Sequence, residues 1–93
     1  MHIGLLQVNL HLPAIVSLKG KRHIIKSLKD RVRQHANVSI AETGSLDAWQ
    51  ESQLAVVTVS SDSARVSQVL DSVVKIIQDT PGAELTDYQI EML

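Results

Sequence analysis

The sequence predicts an α+β protein of the ferredoxin-like class, with a four-stranded antiparallel sheet and two helices packed on one face. Four segments either alternate apolar and polar residues or are rich in β-branched residues, and two segments repeat at helical spacing. Their order along the chain is βαββαβ, the order of that fold. At 93 residues the chain is expected to form one domain, residues 1–93.

The first half of the chain is predicted to form a strand, a helix and a second strand. Residues 2–12 alternate, so Gly4 and the apolar residues at even positions share one face until Pro13 ends the strand. From residue 19 to about residue 34, apolar residues recur at helical spacing and predict a buried stripe. That stripe consists of Ile24, Ile25, Leu28 and Val32. The segment NVSIAET at residues 37–43 predicts the second strand.

The second half is predicted to form a strand, a helix and a last strand. Residues 53–60 are rich in β-branched side chains, and Asp62 is expected to cap the helix that follows. The core stripe of this helix consists of Val66, Val69, Leu70, Val73, Ile76 and Ile77. Pro81 and Gly82 end it, and residues 84–93 alternate again as a strand.

One face of this sheet carries no helix and is expected to be apolar. On the first strand this face would show Ile3 and Leu5. The third strand offers Leu54 and Val56 on one side and Val57 and Val59 on the other, so both of its sides look apolar. A second copy of the chain is the simplest cover, so a homodimer through this face is predicted. The alternative is that scattered apolar residues on a surface are normal.

The composition excludes several classes of site and compartment. The chain has no cysteine, which excludes disulfides and thiolate chemistry and fits a reducing cytoplasm. Its start lacks a basic leader region, and no stretch reaches the ~20 apolar residues of a membrane span. We therefore expect a soluble cytoplasmic protein with no membrane contact.

The charges are sharply separated along the chain. Residues 1–35 carry seven Lys and Arg against Asp30 alone, and residues 36–93 carry two cations against nine carboxylates, formal charges of +6 and −7. Five of the cations follow i, i+3, i+4 spacing along one flank of the first helix. They are Lys19, Arg22, Lys26, Lys29 and Arg33. This flank predicts binding of a polyanion.

The basic flank can also arise without a polyanion, in either of two ways. Long cationic stems can lie along apolar surface and keep their charged ends in water. The flank can also contact the acidic half of this protein or of a partner.

The start of this helix, SLKGKR, resembles an anion site. Ser17 is the expected N-cap, but Gly20 occupies the position where a capping box has Glu or Gln. Lys19, Lys21 and Arg22 crowd the positive end of the helix dipole, where acids are favoured. Free amide groups, a hydroxyl and a glycine at such an end suit phosphate or carboxylate. The alternative is a slightly strained helix start with a tolerated glycine.

Four motifs, SLKGKR, NVSIAE, DAWQ and VVTVSSD, occur in the order and spacing of a known family over nearly the whole chain. On these motifs the chain resembles the YlxP-like family, small bacterial proteins classed as a domain of unknown function (503). The family usually has Glu at the position of Gly20. The resemblance implies a ferredoxin-like fold, a genomic setting beside translation-initiation and ribosome-maturation genes, and no established activity. It favours RNA or the ribosome as the polyanion.

Trp49, the only tryptophan, lies in or beside the loop between the second and third strands. It could stack on a base, but the neighbouring Asp47 and Glu51 favour packing on the domain or a subunit contact. Trp49, Ile3 and Leu5 are therefore interface candidates. The central strands lack the aromatic residues of an RNA-recognition motif, so RNA is expected on the helix.

No residue pattern predicts catalysis, a metal site or a cofactor. The four histidines lack partners at helical spacing, and Ser60 and Ser61 lie outside a nucleophile-elbow pattern. The phosphate loop of acylphosphatases, which share the fold, is absent from residues 12–19. We predict a non-catalytic RNA- or ribosome-associated protein. The alternatives are a dimeric structural or regulatory domain and a small phosphate-handling enzyme of acylphosphatase-like fold.

Overall fold

The computed structural model describes residues 1–93 and contains four strands and two helices in the predicted order. These are β1 (His2–His11), α1 (Leu18–His35), β2 (Ser39–Gly44), β3 (Glu51–Ser60), α2 (Ser63–Gln78) and β4 (Glu84–Met92). The sheet has the order β2-β3-β1-β4, and all three strand pairs are antiparallel. The ferredoxin-like α+β prediction is confirmed. β2 begins two residues later than predicted and β3 begins two residues earlier.

The core lies between the sheet and the two helices. On β1, Leu6, Val8 and Leu10 are buried, and they pair across the strands with Val56, Leu54 and Ser52 of β3. Directly paired residues of antiparallel strands share a face, so these six side chains all point toward the helices. The alternation read from residues 2–12 therefore identifies the buried face of β1 correctly.

The second helix packs closely on β1. Val66, Leu70, Val73, Val74 and Ile77 of α2 are buried. The backbones approach because β1 has a glycine at position 4: a Cβ atom there would overlap Cγ1 of Val66 and lie 2.8 Å from Cδ1 of Leu70. The predicted cap is also confirmed, since the side chain of Asp62 accepts a hydrogen bond from the backbone N–H of Ala64 at 3.0 Å.

The first helix packs through a different stripe from the predicted one. Its buried residues are Lys21, Ile25, Leu28 and Val32, whereas Ile24 is only half-buried. These four positions follow i, i+4, i+7, i+11 spacing, which is one continuous helical face. The sequence interpretation assigned Lys21 to the surface, which is wrong because the buried face is rotated toward position 21. Ile24, which was also expected in the core stripe, packs against the core from its edge.

The last strand forms one edge of the sheet and contains a bulge. The register with β1 shifts between Asn9 and Leu10, so that Leu10 pairs with Leu85 and Val8 pairs with Tyr88. The extra residue places Leu85 and Ile90, five positions apart, on the same half-buried side. Simple alternation along residues 84–93 is therefore interrupted.

The face of the sheet without helices is apolar in one half only. Ile3 pairs with Val59 and Leu5 with Val57, and the valines are 61% and 37% exposed. Farther along the same strands the side chains are amides, including the cross-strand pair of Asn9 with Gln53. The expected apolar face is therefore confined to a patch at one end of the sheet.

Neither helix is apolar enough over its length to traverse a membrane.

Candidate nucleic-acid interface

The basic residues of α1 form a row on its solvent side, which we call the basic ridge: Lys19, Arg22, Lys26, Lys29 and Arg33. Four of these side chains are exposed and that of Lys29 is half-buried. From the first residue to the last the row extends about 21 Å at the rise of an α-helix. The predicted flank is thus present as a continuous surface feature.

The residues of the basic ridge differ in how far they are neutralised. Asp30 is the only acid on α1; Lys26 Nζ lies 3.0 Å from its carboxylate and Arg33 Nη1 lies 4.0 Å away. Lys19, Arg22 and Lys29 make no ion pair with any carboxylate of the chain. None of the five ridge residues therefore pairs with a carboxylate of the chain's own acidic half, residues 36–93.

Lys21 does not belong to the exposed basic surface to which the sequence assigned it. Its side chain is 2% exposed, and Nζ lies 3.0 Å from the carboxylate of Glu42 on β2. The same nitrogen donates a hydrogen bond to the carbonyl oxygen of Ser45, and Ser52 Oγ donates to Glu42 at 2.7 Å. A buried ammonium requires such partners, and its burial keeps Lys21 out of reach of a ligand on the surface.

The start of α1 is likewise occupied by internal contacts. Ser17 is the N-cap, as predicted, and its hydroxyl accepts a hydrogen bond from the backbone N–H of Gly20 at 3.1 Å. A Cβ atom at position 20 would make only ordinary contacts, at 3.4 Å from Ser17 Oγ and 3.5 Å from Ile15 Cδ1. Ser17, Gly20 and Lys21 thus serve the helix start itself, and the free cations of this end are Lys19 and Arg22.

Two loops meet beside the start of α1. The β2–β3 loop, residues 45–50, is joined to the β1–α1 loop, residues 12–17, by the side chain of Gln50, which donates to the carbonyl oxygen of Ile15 at 3.1 Å. The backbone N–H of Leu12 donates to the carbonyl oxygen of Gln50 at 2.9 Å. The interface candidate Trp49 lies in this loop and is 51% exposed. It is therefore not packed fully on the domain.

Three acidic residues lie at the edge of the sheet farthest from α1. Glu84, Asp87 and Glu91 are exposed on β4, at the edge of the sheet opposite β2. α1 packs against β2 and α2, whereas α2 also packs against β1, β3 and β4. These three carboxylates therefore have no part in neutralising the basic ridge.

The histidines and Ser60, which the sequence analysis considered for metal binding or catalysis, lie on three different elements, β1, α1 and β3. His11 Nδ1 lies 3.3 Å from Glu84 on the sheet face without helices, and both side chains are exposed. The chain has no group of three or more His, Asp or Glu side chains placed to hold a metal ion. The hydroxyl of Ser60 accepts a hydrogen bond from the backbone of Asp62, next to the cap of α2.

Comparisons with known proteins agree with the resemblance drawn from the four motifs. The family model described as "Protein of unknown function (DUF503)" matches residues 3–90. The uncharacterized protein YlxP of Bacillus subtilis (strain 168) is 37% identical over 70 residues, which cover 75% of this chain and 76% of that protein. The predicted resemblance is confirmed by these two matches.

The solved structures that match this chain are distant from it in sequence. The de novo designed protein Foldit4 matches with a TM-score of 0.56 and 9% identity, covering 100% of this chain and 97% of that one. A C-terminal segment of the alpha subunit of aIF2 from Pyrococcus abyssi matches with a TM-score of 0.49 and 14% identity, covering 100% of this chain and 49% of that one. The likeness to the designed protein shows the fold alone.

Proposed function

We propose that this chain, which belongs to the DUF503 family, is a non-catalytic RNA- or ribosome-associated protein that binds through the basic ridge. The observation that best supports this proposal is that Lys19, Arg22 and Lys29 have no carboxylate partner, on a helix whose only acid is Asp30.

The spacing of the ridge makes it unfavourable without a ligand. Neighbouring like charges at i, i+3 and i, i+4 repel by tenths of a kcal/mol per pair. A mixture of positive and negative side chains would keep a solvent-exposed helix equally soluble without this repulsion. The unpaired cations of the ridge, from Lys19 to Lys29, extend about 15 Å along the helix and suit a chain of phosphates, which releases counterions when the cations bind it.

RNA is the favoured polyanion for two reasons. The resemblance to the YlxP-like family implies a genomic setting beside translation genes. The central strands β1 and β3 carry no aromatic residue, so the sheet lacks the stacking surface of an RNA-recognition motif and the helix is left as the binding element.

The salt dependence of binding tests the proposal. We expect a fluorescently labelled single-stranded RNA to bind the full chain with a log–log slope of roughly −2 between 50 and 200 mM salt, since each of three free cations contributes about −0.7. Fluorescence anisotropy measures the affinity at each salt concentration. A slope near zero, or no binding at low salt, would reject the phosphate-contact proposal.

Charge reversal locates the binding surface. Arg22→Glu is expected to weaken RNA binding about tenfold or more, because it removes one phosphate contact and adds a repulsive charge. The matched control is Lys75→Glu, which makes the same change in net charge at an exposed position of α2. Equal losses in the two variants would show that only net charge matters and that the ridge is not the site.

Turnover of an acyl phosphate or a nucleotide by the purified protein would contradict the non-catalytic assignment.

A homodimer is proposed alongside RNA binding because the patch formed by Ile3, Leu5, Val57 and Val59 has no cover within the chain. Analytical ultracentrifugation of the wild type and of Val59→Lys checks it. We expect the wild type to sediment as a dimer and Val59→Lys as a monomer. A monomeric wild type at high micromolar concentration would rule the dimer out.

A further inference from the structure

The structure ties the loop that carries the only tryptophan of the chain to the start of α1, the helix of the basic ridge. We infer that the RNA is bound as a single strand, with one unpaired base stacked on Trp49 and the adjoining phosphates on Lys19 and Arg22. This inference rests on the proposed function and specifies which form of RNA the site takes.

The position of Trp49 follows from the contacts of its loop. The buried Lys21 of α1 donates to the carbonyl oxygen of Ser45, the first residue of the loop. At the other end, Gln50 donates to the carbonyl oxygens of Ile15 and Pro13 in the segment that leads into α1. Trp49 therefore lies in a loop tied at both ends to the start of the helix that carries the free cations.

The loop is fixed before any ligand arrives. The Lys21 ammonium is held by Glu42, which in turn accepts from Ser52, a residue only 1% exposed. Within the loop, the backbone N–H of Ala48 donates to the carbonyl oxygen of Ser45 at 3.1 Å. A side chain on a pre-ordered loop loses less conformational freedom on binding than one on a mobile loop. These contacts give the buried Lys–Glu pair a role in presenting the tryptophan.

The chemistry of the surface around Trp49 selects a nucleobase over a protein partner. The indole is 51% exposed, and the two loops carry two further exposed apolar residues, Leu46 at 59% and Val16 at 76%. An apolar surface of this kind can also dock protein. Lys19 and Arg22 are free cations at the start of the helix to which the loop is tied, and the acidic residues next to Trp49 are Asp47 in the loop and Glu51 at the start of β3. A flat exposed aromatic group on a loop tied to a helix start with two free cations suits a base and its flanking phosphates.

A single strand is required by this geometry. In a duplex the bases are stacked on one another and only the backbone is available to a convex helix. An unpaired base can turn outward and stack on an aromatic side chain whatever its identity. The inferred preference is thus for unpaired RNA with little sequence selectivity.

The intrinsic fluorescence of Trp49 tests the inference directly, because no other tryptophan contributes. The full chain is titrated at fixed low salt with three probes: a single-stranded oligouridylate, an RNA duplex of the same length, and inorganic polyphosphate, which has phosphates but no bases. We expect quenching with the single strand and binding without quenching for polyphosphate. The duplex is expected to bind several-fold more weakly than the single strand.

Substitutions separate stacking from phosphate contact. Trp49→Ala is expected to weaken single-strand binding about tenfold, while polyphosphate affinity stays unchanged. Trp49→Phe should recover most of the loss, and Leu46→Ala, a truncation of another exposed apolar residue in the same loop, should have a smaller effect. The melting temperature serves as the folding control, since the indole is half exposed.

The outcomes distinguish this inference from the proposed function. If polyphosphate and RNA both bind through Arg22 but Trp49→Ala leaves RNA affinity unchanged, base stacking on Trp49 is refuted and RNA binding through the basic ridge is still supported. If no probe binds, both are refuted. If Trp49→Ala changes sedimentation and not RNA affinity, the tryptophan is a protein contact and the inference is overturned.

Discussion

The two helices lie on the same face of one sheet, yet they meet it in different ways. α2 buries five apolar residues, begins at an acidic cap and carries Arg65, Asp71 and Lys75. α1 buries three apolar residues and the ammonium of Lys21, and carries seven cations against Asp30. α2 is built for packing alone, whereas α1 uses a core position for an ion pair and presents one sign of charge to solvent. The difference separates the element that holds the fold from the element that is available to a ligand.

The largest predicted effect concerns the buried ion pair by which α1 is anchored. Replacing Glu42 by Leu leaves the Lys21 ammonium buried without its counter-charge and is expected to destabilise the protein by about 3 kcal/mol. The control is Lys26→Met. Lys26 also lies 3.0 Å from a carboxylate, but it is 78% exposed, so its loss should change stability by less than about 0.5 kcal/mol. Urea denaturation measures both.

The double variant Lys21→Met, Glu42→Leu sharpens this prediction. Removing both charges eliminates the uncompensated ammonium, so the double variant should be more stable than Glu42→Leu alone. Additive losses would mean that the pair acts through packing and not through charge, and the contrast between the helices would lose its electrostatic basis.

The next largest effect concerns the close approach of α2 to the sheet. Gly4→Ala places a methyl group against the buried side chains of Val66 and Leu70 and should cost roughly 1–3 kcal/mol through overpacking. Gly44→Ala is the matched control, on the edge strand β2 against which α1 packs. Its new methyl group would meet chiefly the amide end of Gln53, an exposed and flexible side chain that can move away. Equal losses in the two variants would show that α2 does not depend on a glycine for its approach.

The sequence predicted the fold well because apolar periodicity reports directly on burial. The even positions of β1 and most of the α2 stripe are buried as expected. It failed at Lys21, since lysine is assigned to the surface by default, although position 21 continues the spacing of Ile25, Leu28 and Val32. The sequence also contained an indication that Glu42, the partner of Lys21, faces inward: it follows the buried Ile40 by two residues, so both lie on the same face of β2.

The junction of the two loops could not be predicted for a different reason. Gln50 and Ile15 are 35 residues apart, and their hydrogen bond arises from the path of the loops and not from any periodic pattern. Whether the tryptophan is exposed depends on that path. Periodicity predicts which side of an element is buried, and it predicts nothing about side chains in irregular segments.

The smallest predicted effect is a gain in stability at the start of α1. Gly20→Ala should stabilise the protein by about 0.5–1 kcal/mol, because alanine restricts the unfolded chain and its methyl group fits at ordinary contact distance. Thermal unfolding measures the gain. Gly20→Glu should also be stabilising through a completed capping box, but its carboxylate would lie near Lys19 and weaken RNA binding. A loss of stability in Gly20→Ala would show that the helix start needs the glycine. Unchanged RNA affinity in Gly20→Glu would show that the N-terminal end of the ridge does not contact phosphate, and α1 would then differ from α2 in charge without differing in function.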